Sequence, residues 1–321
     1  MKPTSKARHG CGTISIAVAA VAQIAVASAN AEIKVVASSK PVHALVASVM
    51  GQTGVPVVLV SGAASPHSYS MKPSDAKAAN GARVLFRISE GLEPFTAKLA
   101  KSLPKSVRVV SLVDAPGLKL LGRRETGAFE ADGHDGHGHG ATKKSEPEDE
   151  RDPHIWLDPA NASVMVDHIA AVLADAEPAN AAVFRANAEA TKERIAELAV
   201  ELERDLLPFA GKPFVVLHDA YQYLEQRFGL TAVGSIAVAP EAAPSGKRLS
   251  AIRKKISATG AACLFAEPGM QPKVVAAVIE GTKVKAGLLD PEATQLSPSA
   301  NVYVDLMRGL ASGIKACFSA K

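Results

Sequence analysis

Aromatic residues are scarce in this chain, 4% in all, with Trp156 the single tryptophan. Single strands of nucleic acid are bound on aromatic platforms and duplexes along a basic stripe, and this composition supplies neither. No sign of charge dominates. The formal net charge is +4, but residues 1–31 carry Lys2, Lys6 and Arg8 and no acid, so 33 cationic residues face 32 anionic ones in the remainder. That balance argues against a polyanionic partner. Three cysteines with no Cys-x-x-Cys disfavour a thiolate zinc site. No His-Glu-x-x-His is present, so the zinc-peptidase helix is missing. The Ala/Val/Ile-rich run from Ile14 to Ala27 is short of the ~20 residues that span a bilayer.

That run has a different meaning in context. It follows the basic residues and precedes Ser28-Ala29-Asn30-Ala31, giving the charged, apolar and small-residue regions of a signal peptide, with cleavage expected after Ala31. A lipoprotein would carry a cysteine just after the run. Cys11 lies before it, which disfavours a lipid anchor. Cys263 and Cys317 remain after cleavage. An even pair in an exported chain reads as one disulfide or as two buried thiols, and spacing alone allows both.

At 321 residues and 47% apolar, the chain is long enough for two lobes with cores of their own. Short β-branched runs alternate with helical stretches. Strands are expected near Ile33–Ser38, Val55–Val60, Arg83–Ile88 and Val107–Leu112, and again near Lys212–Leu217, Ala232–Ile236, Cys263–Ala266 and Lys283–Leu289. This rhythm predicts α/β lobes of parallel sheet flanked by helices. Between the two series lies one helix of about 29 residues, 179 to 207, with Phe184, Ala188, Ile195, Leu198, Leu202 and Leu206 on one face. It is long enough to run across both lobes. The expected division is 1–31 signal peptide, 32–178 first lobe, 179–208 connecting helix and 209–321 second lobe.

The first lobe is interrupted at 130–151 by Gly, His, Lys and acids with no hydrophobic period, including His134, His137 and His139. Such a composition reads as a solvated loop with weak metal affinity. It leads into Asp152-Pro-His154-Ile-Trp-Leu-Asp158-Pro, a proline-bracketed segment with one more histidine. Imidazole is the commonest protein ligand for transition metals. His67, His154 and His218 fall in or beside loops, and Glu267 and Asp290 fall at strand ends. Open α/β sheets bind ligands at the carboxyl ends of their strands. A strand-end histidine taken singly is more often a packing residue. Three from unrelated loops form a constellation, and three imidazoles with a carboxylate or water suit four-coordinate zinc. Calcium and magnesium prefer oxygen ligands, and manganese would favour a second carboxylate over the third histidine. His43, one turn into a helix, suits core packing or a position behind the ligands as well as it suits ligation.

Several of these segments together resemble the periplasmic zinc-binding proteins of ABC importers (ZnuA type). They are Ser65-Pro-His67-Ser-Tyr-Ser-Met-Lys-Pro-Ser-Asp75, the His/acid loop, Asp152-Pro-His154-Ile-Trp-Leu-Asp-Pro, His218-Asp-Ala-Tyr-Gln-Tyr-Leu-Glu225, Phe265-Ala-Glu-Pro268 and Leu289-Asp-Pro291. The likeness runs from about Ile33 to Cys317. It implies two α/β lobes joined by one long helix, with Zn(2+) held in the cleft by His67, His154 and His218. Asp290 matches a position that supplies a carboxylate in related members and is the expected fourth ligand, with water as its competitor. Glu267 and His43 are expected behind the ligands. Cys263 and Cys317 match a disulfide of zinc-type members. The three-histidine loop is modest beside that of some members. The function implied is capture of Zn(2+) in the periplasm, by a monomer, for a membrane permease driven by a cytoplasmic ATPase. A manganese carrier of the same fold is the alternative; His218 favours zinc, because manganese relatives look to have a carboxylate there. A zinc hydrolase, which would need an open coordination position and a general base, and a surface-anchored adhesin are further from the pattern.

Overall fold

Residues that alternate between two apolar faces build both sheets of the computed structural model, which describes residues 33–124, 129, 150–237, 243–269 and 272–320 besides Met1. The expected signal segment from residue 2 and the His/acid residues 130–149, with His134, His137 and His139, lie outside the described residues. In the first half the chain runs β1 (Val35–Ala37), α1 (Lys40–Met50), β2 (Val57–Val58), α2 (Pro73–Asn80), β3 (Val84–Arg87), α3 (Phe95–Ser102) and β4 (Arg108–Ser111). Two helices follow, α4 (Pro159–Ala176) and α5 (Ala181–Leu206). The second half runs β5 (Pro213–Val216), α6 (Gln222–Phe228), β6 (Thr231–Ser235), α7 (Gly246–Thr259), β7 (Cys263–Ala266), α8 (Pro272–Ile279), β8 (Lys285–Leu288) and α9 (Val302–Ser319).

Both sheets are four-stranded and parallel, in the orders β2-β1-β3-β4 and β6-β5-β7-β8. The second order is the first repeated. Parallel strands are covered on both faces, and the alternation of side chains assigns each face its cover. Val35, Ala37, Val84 and Phe86 join one large core with α1, α4, α5 and α9. Phe214, Val216, Cys263 and Phe265 of the second sheet enter the same core. The intervening residues turn outward: Val36 and Leu85 pack with Ala79 and Leu99, and Val215 and Leu264 pack with Ile252, Ile256 and Val278. Glu32–Lys321 forms one compact unit that contains both sheets.

The long helix is α5, 26 residues or about 39 Å. Its buried face includes all six positions expected from the sequence, with Thr191 and Ala199 added. It packs on α1 and α4 and on α9, so it joins the two halves. The disulfide is Cys263–Cys317, with Cα atoms 6.2 Å apart, and ties β7 to α9 across a separation of 54 residues. Closing a loop of that length removes denatured-state entropy worth about 4 kcal/mol in the chain-entropy model. Close approach at this seam requires glycine. A Cβ at Gly313 of α9 would stand 2.5 Å from the Leu288 carbonyl oxygen of β8.

Two elements differ from expectation. The strand expected over Val55–Val60 contracts to Val57–Val58, because β2 is an edge strand, Pro56 has no N–H, and Val55 and Val57 are exposed. Helix α3 has no strong periodic signal in the sequence; Thr96 and Leu99 are its only buried residues. Among the described residues no helix is long and apolar enough to cross a membrane.

Glu93 clamps the carboxyl edge of the first sheet. Its carboxylate accepts from Ser38 Oγ beyond β1 and from the backbone N–H groups of Ile88 (3.0 Å) and Ser89 (2.9 Å) beyond β3. Complete burial pushes its pKa up to about 7, against the opposing pull of those bonds. The folded state therefore keeps a proton that the unfolded state releases near pH 4.5. This contribution to stability is complete at low pH and is lost as pH rises toward 7. About two and a half pKa units correspond to roughly 3 kcal/mol. Glu93→Gln imitates the protonated form, with Nε2 placed to donate to Ser38 and Oε1 to accept from the backbone. Urea unfolding at pH 5 and pH 8 should show the variant gaining about 2–3 kcal/mol relative to the parent chain at the higher pH.

Candidate metal centre

Three imidazoles meet where the carboxyl ends of the two sheets face a common space. His67 lies in the loop after β2. His154 ends the segment that returns from the His/acid region and starts a 3-10 turn, Ile155–Leu157. His218 follows β5 directly. Asp158 then caps α4 through the Ala160 N–H, with Pro159 in its first turn, so the chain leaves His154 in a fixed direction.

Among the described residues these three histidines form a group whose candidate ligand atoms all lie within 4.8 Å of one another. His154 Nε2 is 3.4 Å from His67 Nε2 and 3.3 Å from His218 Nε2. The far nitrogens decide what these contacts are. His154 Nδ1 lies 2.7 Å from Asp152 Oδ1, and His218 Nδ1 lies 2.6 Å from Glu267 Oε1. A carboxylate at Nδ1 holds the proton there, which leaves the Nε2 lone pair bare. Lone pairs facing each other at 3.3 Å repel, and a shared cation is what reconciles them. Four ligands at the Zn–N distance of about 2.0–2.1 Å stand about 3.3–3.4 Å apart at tetrahedral angles. The two spacings match that edge.

The orienting carboxylates are themselves held from across the molecule. Asp152 also accepts from the His154 N–H (3.0 Å) and from Gln222 Nε2 of α6 (3.1 Å). Tyr223 OH donates to the Asp152 carbonyl at 2.9 Å and accepts from the Leu121 N–H at 3.0 Å. Tyr221 OH donates to Glu267 Oε1 at 3.3 Å. Arg124 bridges to Asp219 and, at 2.7 Å, to Glu225, and stands over the Phe129 ring. Residues of the first half are in this way braced by α6.

Protonation follows from these surroundings. Burial, with His154, His218 and Arg123 nearby, holds the His67 imidazole well below its ordinary pKa. Burial also opposes charge on His218, but Glu267 outweighs it and raises the pKa. Asp152 is pushed up by burial and pulled down further by His154, so its pKa is lowered. Solvent reaches the cluster by one edge: the His67 side chain keeps 15% exposure, against 4% for His154 and 2% for His218.

The remaining expected residues separate. Glu267 stands at Nδ1 of His218, 2.6 Å away. His43 does not join the cluster; its Nε2 donates to the Pro56 carbonyl at 3.1 Å and fastens α1 to the approach to β2. Asp290 is not in the histidine group either. Its carboxylate accepts from the Thr294 N–H (2.9 Å), Thr294 Oγ1 (3.1 Å) and the Gln295 N–H (3.0 Å), closing a turn after β8. The acid that approaches the imidazoles from this turn is Glu292, with Oε1 3.7 Å from His67 Nε2. Sequence reasoning missed Glu292 because Asp290 and Glu292 share one loop and nothing in their order says which carboxylate turns inward. It also missed the part played by Asp152, although an acid two residues before a histidine, across a proline, was a usable signal.

Known proteins share this chain's sequence and fold over most of its length. The family model described as zinc-uptake complex component A, periplasmic, matches residues 35–317. The high-affinity zinc uptake system protein ZnuA of Brucella suis biovar 1 is 42% identical over 310 residues, covering 89% of this chain and 91% of that one. The protein of the same name from Paracoccus denitrificans is 36% identical over 323 residues, covering 95% and 98%. Among solved structures, the laminin binding protein of Streptococcus agalactiae, described as bifunctional with adhesin and metal transporting activity, is 26% identical with a TM-score of 0.70, over 89% of this chain and all of that one. A crystal structure of ZnuA has a TM-score of 0.74 at 23% identity, over 90% and 100%, and shows the shared fold.

Proposed function

Because the chain belongs to the family of periplasmic component A proteins of zinc-uptake complexes, we propose that it captures Zn(2+) and delivers it to an ABC-type membrane importer. It is a substrate-binding protein and not an enzyme, and zinc is its cargo. The observation that carries the assignment is the pair of Nε2 spacings, 3.4 and 3.3 Å, at tetrahedral-edge length. His67, His154 and His218 bind the ion through Nε2, and Glu292 supplies the fourth ligand from 3.7 Å away. Three neutral imidazoles and one carboxylate suit zinc and leave no open position for the activated water that hydrolysis requires.

The ligands are drawn from both halves, which supports reading 32–178 and 209–321 as lobes on either side of the connecting helix, with capture and release governed by their approach. The signal-peptide pattern of residues 1–31 supports export to the periplasm. The composition of residues 134–139, three histidines among glycine and acid, supports a weak zinc reserve. The protein works as a monomer and hands its ion to a permease served by a cytoplasmic ATPase.

Chelator competition with metal-stripped protein tests the site directly. One tight zinc equivalent is expected, weakened about a hundredfold or more by His154→Ala or His218→Ala, beyond the loss typical of removing a residue behind a ligand. Retention of tight zinc by both variants would overturn the assignment. Acid should weaken the same binding. Zinc displaces the proton from His218, whose pKa is raised, so affinity falls with pH from above the ordinary imidazole value near 6.5. Glu267→Gln removes the carboxylate that raises it. The variant should bind zinc about 10–100-fold less tightly at pH 8 and lose less on acidification, both read by the same competition assay.

A further inference from the structure

We propose that Lys40 is a positioning residue for the metal site: from α1 it pins the turn after β8 and so holds the Glu292 carboxylate against His67. The proposal rests on Glu292 being the fourth ligand. Glu292 has its two neighbours fastened by side chains from the first half. Before it, the Pro291 carbonyl accepts from Trp156 Nε1 at 2.9 Å, and Trp156 is fixed in turn by Tyr303 OH on its own carbonyl at 3.0 Å. After it, Lys40 Nζ donates to the carbonyls of Ala293 at 3.0 Å and Thr294 at 2.7 Å. Lys40 is buried and sits at the first turn of α1, so its ammonium has no freedom to reach elsewhere.

The backbone between these two anchors is strained. Ala293 has φ +54°, the one positive φ among the described residues other than glycine. A side chain with a Cβ resists that left-handed conformation. The Asp290 carboxylate organises the turn from within its own loop, through Thr294 and Gln295. The Ala293 and Thr294 carbonyls, however, are aimed together at one point by a cation that belongs to another element. An ammonium has three donors and can serve two carbonyls at once, whereas methionine, of similar length, has none. With that cation gone the strained residue has a reason to relax, and its immediate neighbour is Glu292. His67 and Lys40 both belong to the first half, so the cation that fixes the turn and the imidazole that meets the carboxylate move as parts of one body.

The test is a double-mutant cycle in the full chain, with Lys40→Met, Glu292→Gln and the pair. Zinc affinity is measured by chelator competition, and cobalt(II) is used as a visible-spectrum probe of ligation. Lys40→Met is expected to weaken zinc about tenfold, the low end for residues that orient ligands. Its cobalt spectrum should shift toward that of Glu292→Gln, and the pair should bind no more weakly than Glu292→Gln alone. A lysine that served only packing would lower the melting temperature but leave the cobalt spectrum in place. Additive losses, or a parental cobalt spectrum in Lys40→Met, would overturn the positioning role while Glu292 stayed a ligand. No effect of Glu292→Gln on affinity or spectrum would instead remove Glu292 from the site, and the proposal with it. Lys40→Gln keeps a neutral donor and most of the packing, and it carries the same cycle if Lys40→Met does not fold.

Discussion

Two bare Nε2 lone pairs, those of His154 and His218, held 3.3 Å apart are a repulsive arrangement, and much of the molecule is organised to maintain it. Each of the two buried imidazoles is kept in place by a carboxylate at Nδ1, and each carboxylate is held by donors of its own. Burying such groups is costly unless every polar atom is paired. The chain meets that cost with a core that runs unbroken through both halves, one long helix across it, and a disulfide at the seam of β7 and α9. A preformed site spends none of the ion's binding energy on ordering its ligands.

The repeated strand order explains why the ligands come from where they do. Each parallel sheet opens its loops at the carboxyl ends of its strands, and the same order twice gives two sets of such loops. The first set contributes His67 and, after the long excursion beyond β4, His154. The second contributes His218, Glu267 and the Asp290–Gln295 turn. Bracing crosses between the sets: α6 of the second half holds Asp152 through Gln222 and Tyr223, while Lys40 and Trp156 of the first hold the turn that bears Glu292. The site depends on both halves for its alignment as well as for its ligands.

Much of this could be read in the sequence, and the omissions have physical causes. The β-branched runs of the central strands are buried on both faces and declare themselves without context. The long helix did so through a continuous apolar stripe, found at the positions expected. The edge strand β2 was overestimated, because Val55 and Val57 look like core residues until the sheet's edge is known. Helix α3 was silent, with only two residues buried. The three histidines were legible because three loops agreed. The proposed fourth group, Glu292, was not, since Asp290 and Glu292 share one turn, and the left-handed residue after Glu292 is an alanine, which gives no warning of that conformation as glycine would.

The site is asymmetric in a way that suits a carrier better than a structural zinc site. A structural site encloses the ion on all sides with equally fixed ligands. Here His154 and His218 are fully buried and locked by carboxylates, whereas His67 is the imidazole with solvent access and Glu292 stands on a turn pinned from another element. The proposed ligand set is therefore two buried imidazoles oriented by carboxylates, with a more open imidazole and a carboxylate on a pinned turn. His154 belongs to the first half and His218 to the second, so separating the halves would divide the buried pair as well as part His67 from Glu292. The one non-glycine residue in left-handed backbone among the described residues, Ala293, lies next to Glu292 on that turn.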